Sequence, residues 1–157
     1  MSSDLPLKKI ISGAQTGADT AALDWAMAKG LQHGGWCPKG RRCESGRIDS
    51  KYQLEETNGS GYLERTERNV VESDATIIFT MADKLTGGSL RTEGFARSRG
   101  KPCMHFRPGV HPKFIRSFLV AHRVCCLNVA GSRASTDARI VEFVANSLAA
   151  AFETPTS

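Results

Sequence analysis

The sequence predicts an α/β protein: a doubly wound, mainly parallel sheet of at least five strands in a single domain. Three observations carry this expectation. Short apolar runs alternate with amphipathic stretches along the chain, the pattern of βαβ units with right-handed crossovers and helices on both faces of a sheet. Two helical stretches end in a basic residue and a glycine, Lys29-Gly30 and Arg99-Gly100, just before an apolar run. The run Ile77-Ile78-Phe79 has no polar alternation and reads as a central strand buried on both sides.

Taken in order, the first strand is expected near 8–13, where Ile10-Ile11 run into a glycine turn, and the first helix near 19–28. A second strand follows near 31–37. From Pro38 to about Gly61 the chain is polar and rich in Gly, Ser, Arg and Glu, and a loop this long inside a compact domain is functional or disordered. Alternation then resumes with a helix at 62–72, a strand at 75–80 and a helix at 90–98. A strand at 102–106, a helix at 112–121, a strand at 124–129 and a helix at 137–152 complete the chain. The domain is bounded at 8–152, with tails at 1–7 and 153–157; residues 1–6 and 154–157 are expected to be frayed. No repeat or linker divides it.

Composition narrows the function. With 157 residues, 40% hydrophobic and 24% charged, the chain suits one soluble globular domain. No apolar run approaches the roughly 20 residues of a membrane span, and the polar N-terminus lacks a signal-peptide core. Five cysteines, odd in number and irregularly spaced, point to free thiols in a reducing cytoplasm. Cys125-Cys126, adjacent on a strand, read as small core residues. A net charge of +5 suits an anionic partner and also serves solubility. The basic residues are dispersed and carry no nucleic-acid-binding signature. His33, His105, His111 and His122 fall at no metal-ligand spacing, and Cys37 and Cys43 have no histidine partner. There is no Gly-x-Ser-x-Gly elbow for a hydrolase nucleophile.

The two edges of the expected sheet differ. At the carboxyl ends of the strands lie Gly13-Ala14-Gln15-Thr16-Gly17, then Trp36-Cys37-Pro38-Lys39-Gly40-Arg41-Arg42, then Thr86-Gly87-Gly88-Ser89, then Gly131-Ser132-Arg133-Ala134-Ser135-Thr136. The opposite edge has only short, plain turns such as Ser73-Asp74 and His122-Arg123. Open α/β sheets bind ligands at the carboxyl edge, where strand order reverses. Glycine turns that open helices aim backbone N–H groups and the positive end of a helix dipole at an anion. The first loop has no Walker lysine and lacks the full Gly-x-Gly-x-x-Gly spacing. Each piece also has a plainer reading: glycine turns serve packing, Lys39, Arg41 and Arg42 form a solvated loop, and Trp36 is either core or a stacking platform. Arg65, Thr66 and Asn69 lie on the helix after the long loop, where Arg65 and Asn69 share a face. That face points either into the cleft or to solvent.

These residues resemble a known family. Ser12-Gly13-Ala14-Gln15-Thr16-Gly17-Ala18-Asp19 with Ala22-Leu23-Asp24-Trp25-Ala26 is similar to the opening of the molybdenum carrier proteins, the circularly permuted branch of the SLOG superfamily and relatives of the lysine-decarboxylase-like proteins. Gly34-Gly35-Trp36-Cys37-Pro38-Lys39-Gly40-Arg41-Arg42, Tyr62 with Arg65-Thr66-Glu67 and Asn69-Val70, and Ser73-Asp74-Ala75-Thr76 continue the likeness. Gly87-Gly88-Ser89 with Thr92, Lys101-Pro102 and 127–135 extend it to nearly the whole chain. The resemblance implies a three-layer Rossmann-like fold that holds the molybdenum cofactor, a flat pterin with a phosphate and a metal-bound dithiolene, without turning it over. It further implies homo-oligomers and recipient molybdoenzymes as partners. The ligand's anionic part is expected among Gly13, Gln15, Thr16, Gly17, Gly87, Gly88 and Ser89, with Lys39, Arg41 and Arg65 closing over it. Asp19, Trp36, Gly40, Thr66, Asn69, Thr92, Gly131, Ser132 and Arg133 complete the expected site. Hydrolases of the wider superfamily carry Pro-Gly-Gly-x-Gly-Thr-x-x-Glu. In Thr86-Gly87-Gly88-Ser89-Leu90-Arg91-Thr92-Glu93 the proline is missing and Glu93 directly follows Thr92, which turns the carboxylate about 200° round the helix. That favours binding over catalysis. The alternatives are a phosphoribohydrolase-like nucleotide enzyme and a sensor of a nucleotide-derived signal, both using the same cleft.

Overall fold

The computed structural model describes residues 5–153. Five strands form the main sheet: β1 (Lys9–Ile11), β2 (Gln32–Gly34), β7 (Ala75–Phe79), β8 (Cys103–Phe106) and β9 (Cys126–Gly131), in the order β2-β1-β9-β7-β8. Every pairing is parallel; Ile10 stands beside His33 on one side and Leu127 on the other, and Ile77 beside Met104 and Val129. Helices α1 (Ala18–Ala28), α4 (Lys113–Ala121) and α5 (Ile140–Phe152) pack together as one layer, and α2 (Tyr62–Glu72) packs on α3 (Gly87–Ser98) as the other. The chain moves outward from β1 to β2, restarts at β7 and moves outward to β8, and β9 returns between the halves. Strand order therefore reverses beside β1, β9 and β7.

The core explains this arrangement. All five residues of β7 are buried, as an internal strand covered on both faces requires. Phe79 meets Phe106 edge to face at 5.6 Å, and Phe143 of α5 stacks on Phe106 at 5.6 Å. Leu5 and Leu7, grouped with the tail from sequence, pack on this core. Of the frayed tails expected at 1–6 and 154–157, residues 1–4 and 154–157 lie outside the described residues.

Several boundaries differ from expectation, among them β1, which ends at Ile11, and β9, which runs over Cys126–Gly131. Strand β2 stops at Gly34 because Gly35, at φ 132°, passes so close to β1 that a Cβ there would lie 2.1 Å from the Ser12 carbonyl oxygen. Helix α3 takes Gly87-Gly88-Ser89 into its first turn, and α5 starts at Ile140, after turns rather than helix over 137–139. Cys125 is exposed and Cys126 half-buried, which corrects their expected place in the core. They lie at the amino end of β9, where both backbone N–H groups donate to Asp74 Oδ2 at 2.9 Å.

The long polar segment is neither loose nor unstructured. β3 (Trp36–Cys37) pairs in parallel with β6 (Glu55–Glu56), while β4 (Arg42–Cys43) and β5 (Gly46–Arg47) form a small hairpin. Arg41 ties it down. Its buried guanidinium donates to the carbonyls of Ile48, Asp49 and Tyr52 at 3.4, 2.6 and 2.9 Å.

Candidate functional site

A cavity of about 380 Å³ opens at the carboxyl ends of β1, β9 and β7, where strand order reverses. Three loops and the helices α1, α2 and α3 build it. The β1–α1 and β9–α5 loops interlock at Gly17 (φ 96°), where a Cβ would lie 2.3 Å from Ser132 O, and Gly131 (φ 152°) presses on the end of β7, where a Cβ would lie 2.0 Å from Phe79 O. Ala18 N–H donates to Ser132 O at 3.0 Å across the same contact. These glycines serve close packing of backbone on backbone. Gly87 and Gly88 differ. A Cβ at either would meet nothing within 4 Å, so they leave open the start of α3, whose N-terminus has no side-chain cap. Uncapped N–H groups and the helix dipole make that turn attractive to an anion.

The lining is electropositive. Arg65, Arg91, Arg133 and Lys84 border the cavity, against a single carboxylate, Asp19. Asp19 lies in the first turn of α1 and accepts from Gln15 N–H at 3.1 Å. Burial pushes its carboxyl up to about 6, against the pull of the Arg65 guanidinium 4.0 Å away. Arg65 donates to Thr66 Oγ1 at 3.1 Å, but its Nε is buried without a partner. Gln15 is in the same condition. Its Oε1 accepts from Thr16 N–H and Glu44 N–H at 3.2 and 2.8 Å, while its buried Nε2 has no partner. Among the described residues three buried side-chain donors are unpaired, and two of them belong to residues lining this cavity. At the rim, the guanidinium carbons of Arg42, Arg65 and Arg133 lie 4.4, 5.3 and 5.0 Å from the centre of the Tyr62 ring.

Residues 10–152 match the circularly permutated YpsA SLOG family. The chain belongs to that family. It is also similar to a crystal structure of a "putative molybdenum carrier protein" from Syntrophus aciditrophicus SB, with 42% identity and a TM-score of 0.88 over 96% of this chain and 97% of that one. None of the curated proteins matches the chain.

Within this SLOG fold the expected site divides. Gln15, Asp19, Arg65, Thr66, Gly87, Gly88, Ser89, Thr92, Gly131, Ser132 and Arg133 line the cavity together. Gly13 and Asn69 lie at a small recess on the inner side of Arg65, where a Cβ on Gly13 would lie 2.6 Å from Arg65 Nη1. Thr16 and Gly17 stand behind the lining, against Glu44 and Ser132. The long-segment residues of the expected site, Trp36, Lys39, Gly40 and Arg41, do not line the cavity. Trp36 has its backbone clamped by the Asn69 amide at 2.8 and 3.0 Å and its ring covered by Arg68 at 4.5 Å. Lys39 is exposed, Gly40 N–H donates to Glu56 at 2.6 Å, and Arg41 is committed to carbonyls.

The expected site left out Tyr62, Thr80, Lys84, Thr86, Arg91 and Thr136, which line the cavity, and Glu44 beside it, although Thr86 and Thr136 stood in the carboxyl-edge loops and Tyr62 in the family likeness. Thr80, Lys84 and Thr86 follow the end of β7, so the carboxyl-edge rule was the signal for them. Glu44 had none. Glu93 pairs with Arg97 at 3.9 Å and is not among the lining residues.

Proposed function

We propose that this protein binds the molybdenum cofactor in the carboxyl-edge cavity and carries it through the cytoplasm to molybdoenzymes without converting it. The unpaired donors Gln15 Nε2 and Arg65 Nε carry this reading. Leaving a buried donor unsatisfied costs about 1–3 kcal/mol, and a ligand rich in acceptors removes that cost on binding. Four cations against one carboxylate favour an anionic ligand. Arg65, Arg133 and the open start of α3 would hold its phosphate. The volume, about 380 Å³, falls within the usual range for small-molecule sites. The carrier name of the 42% identical neighbour agrees with this ligand class. Glu93 turns to Arg97, which supports holding over cleaving.

The test is the lifetime of the free cofactor in air with and without the protein, read by reconstitution of a cofactor-free molybdoenzyme. Slower decay with the protein is expected; equal decay rejects the carrier role. Release of free base from adenosine monophosphate, lost in Glu93→Ala, would replace it with the phosphoribohydrolase reading.

A further inference from the structure

The β4–β5 hairpin turns through Glu44-Ser45, and its tip reaches away from its own strands. The Glu44 carboxylate lies between the β1–α1 and β9–α5 loops. It accepts from the Thr16 hydroxyl, from Ser135 N–H at 3.3 Å and from the Ser135 hydroxyl at 2.6 Å. Arg133 Nη1 stands 3.8 Å from it. These partners are 28 to 91 positions away in sequence. Two hydroxyls, a backbone N–H and a guanidinium converging on one carboxylate form a donor set that suits a phosphate equally well. The hydrogen bond from Ser135, then that from Thr16, holds the Glu44 carboxyl below its usual range. The cluster adjoins the cavity, because Arg133 lines both, and Gln15, which accepts Glu44 N–H, lines the cavity too.

We propose that Thr16, Arg133 and Ser135 form a second oxyanion subsite, filled in the free protein by the Glu44 carboxylate and opened to the second phosphate of a diphosphate-bearing ligand when the hairpin tip lifts. This rests on reading the cavity as the seat of the ligand's first anionic group. The ligand class is thereby extended from a phosphate monoester to a ligand that carries a diphosphate. The hairpin is suited to the exchange. β4 and β5 are two residues each, and Arg41 secures the base at Ile48, Asp49 and Tyr52. Cys43, next to the tip, is itself buried in the core, so the movement is confined to the turn at Glu44 and Ser45.

Calorimetric titration with inorganic phosphate and with pyrophosphate tests the subsite in the wild-type chain, Glu44→Ala, Glu44→Gln and Glu44→Ala/Ser135→Ala. The wild type should take one phosphate per chain and Glu44→Ala two, the second being lost again in the double variant. Pyrophosphate should bind roughly ten-fold tighter or better to Glu44→Ala and Glu44→Gln than to the wild type. If Glu44→Ala unfolds, Glu44→Gln keeps the side chain's shape and carries the pyrophosphate comparison. One phosphate in every variant, with unchanged pyrophosphate affinity, overturns the subsite and leaves the cavity reading intact. No phosphate on the wild type but one on Glu44→Ala supports the subsite and counts against the cavity. No binding to any variant overturns the proposal.

Discussion

Arg65 and Asp19 show how the site is tuned at single residues. The Arg65 side chain is mostly enclosed, with Nη1 engaged by Thr66 and Nε unpaired. A charge-assisted hydrogen bond contributes about 1.5–3 kcal/mol. Arg65→Ala should therefore weaken cofactor binding by roughly ten- to a hundred-fold, read by equilibrium titration, while thermal unfolding stays cooperative. Asp19 works in the opposite sense, against stability. Its carboxyl is raised from 3.8 to about 6, so the folded state holds the proton more tightly than the unfolded chain. The cost is absent below the unfolded value and fully present above about 6, where it amounts to about 3 kcal/mol. Replacing Asp19 with Asn removes this titration. Relative to Asp19→Asn, the wild type should gain stability as pH falls from 7 to 4, measured by urea unfolding; a constant difference would show that Asp19 does not titrate as a buried acid.

At the scale of elements, the strands and helices were legible because apolar period and helix-ending glycines agreed with each other. The long polar segment was not. Its structure depends on contacts that no local pattern encodes: Arg41 on three carbonyls, the Asn69 amide on Trp36, and Glu44 on Thr16 and Ser135. A basic run such as Lys39-Gly40-Arg41-Arg42 reads the same whether a guanidinium faces a ligand, a carbonyl or a ring. The structure assigns Arg41 to carbonyls and Arg42 to Tyr62. Arg41→Ala should destabilise the fold by about 2–3 kcal/mol in urea unfolding, whereas exposed Lys39→Ala should stay within about 0.5 kcal/mol. Equal effects would deny Arg41 its role as the tie.

At the scale of the molecule, one topological fact places the site: β9 returns between β1 and β7, so three carboxyl-end loops meet at one crevice. The contrast between edges was visible in sequence, since the loops rich in glycine, hydroxyl and basic residues lie at one edge and the turns at the other, such as Lys29-Gly30 and Ser73-Asp74, are short. What stayed hidden was the division of labour among the glycines. Gly17 and Gly131 are filled by neighbouring backbone, while Gly88 faces open space at the start of α3. That difference provides the most direct test of the cavity as the seat of an anionic cofactor. A Cβ on Gly88 meets nothing within 4 Å, so Gly88→Asp introduces a carboxylate at little steric cost. The deciding measurement is the affinity of the anaerobically prepared cofactor for Gly88→Asp, with Arg123→Ala at the opposite edge as control. A loss of roughly a hundred-fold or more in Gly88→Asp, with unfolding unchanged and Arg123→Ala like the wild type, is the predicted result. Unaltered affinity in Gly88→Asp would contradict it.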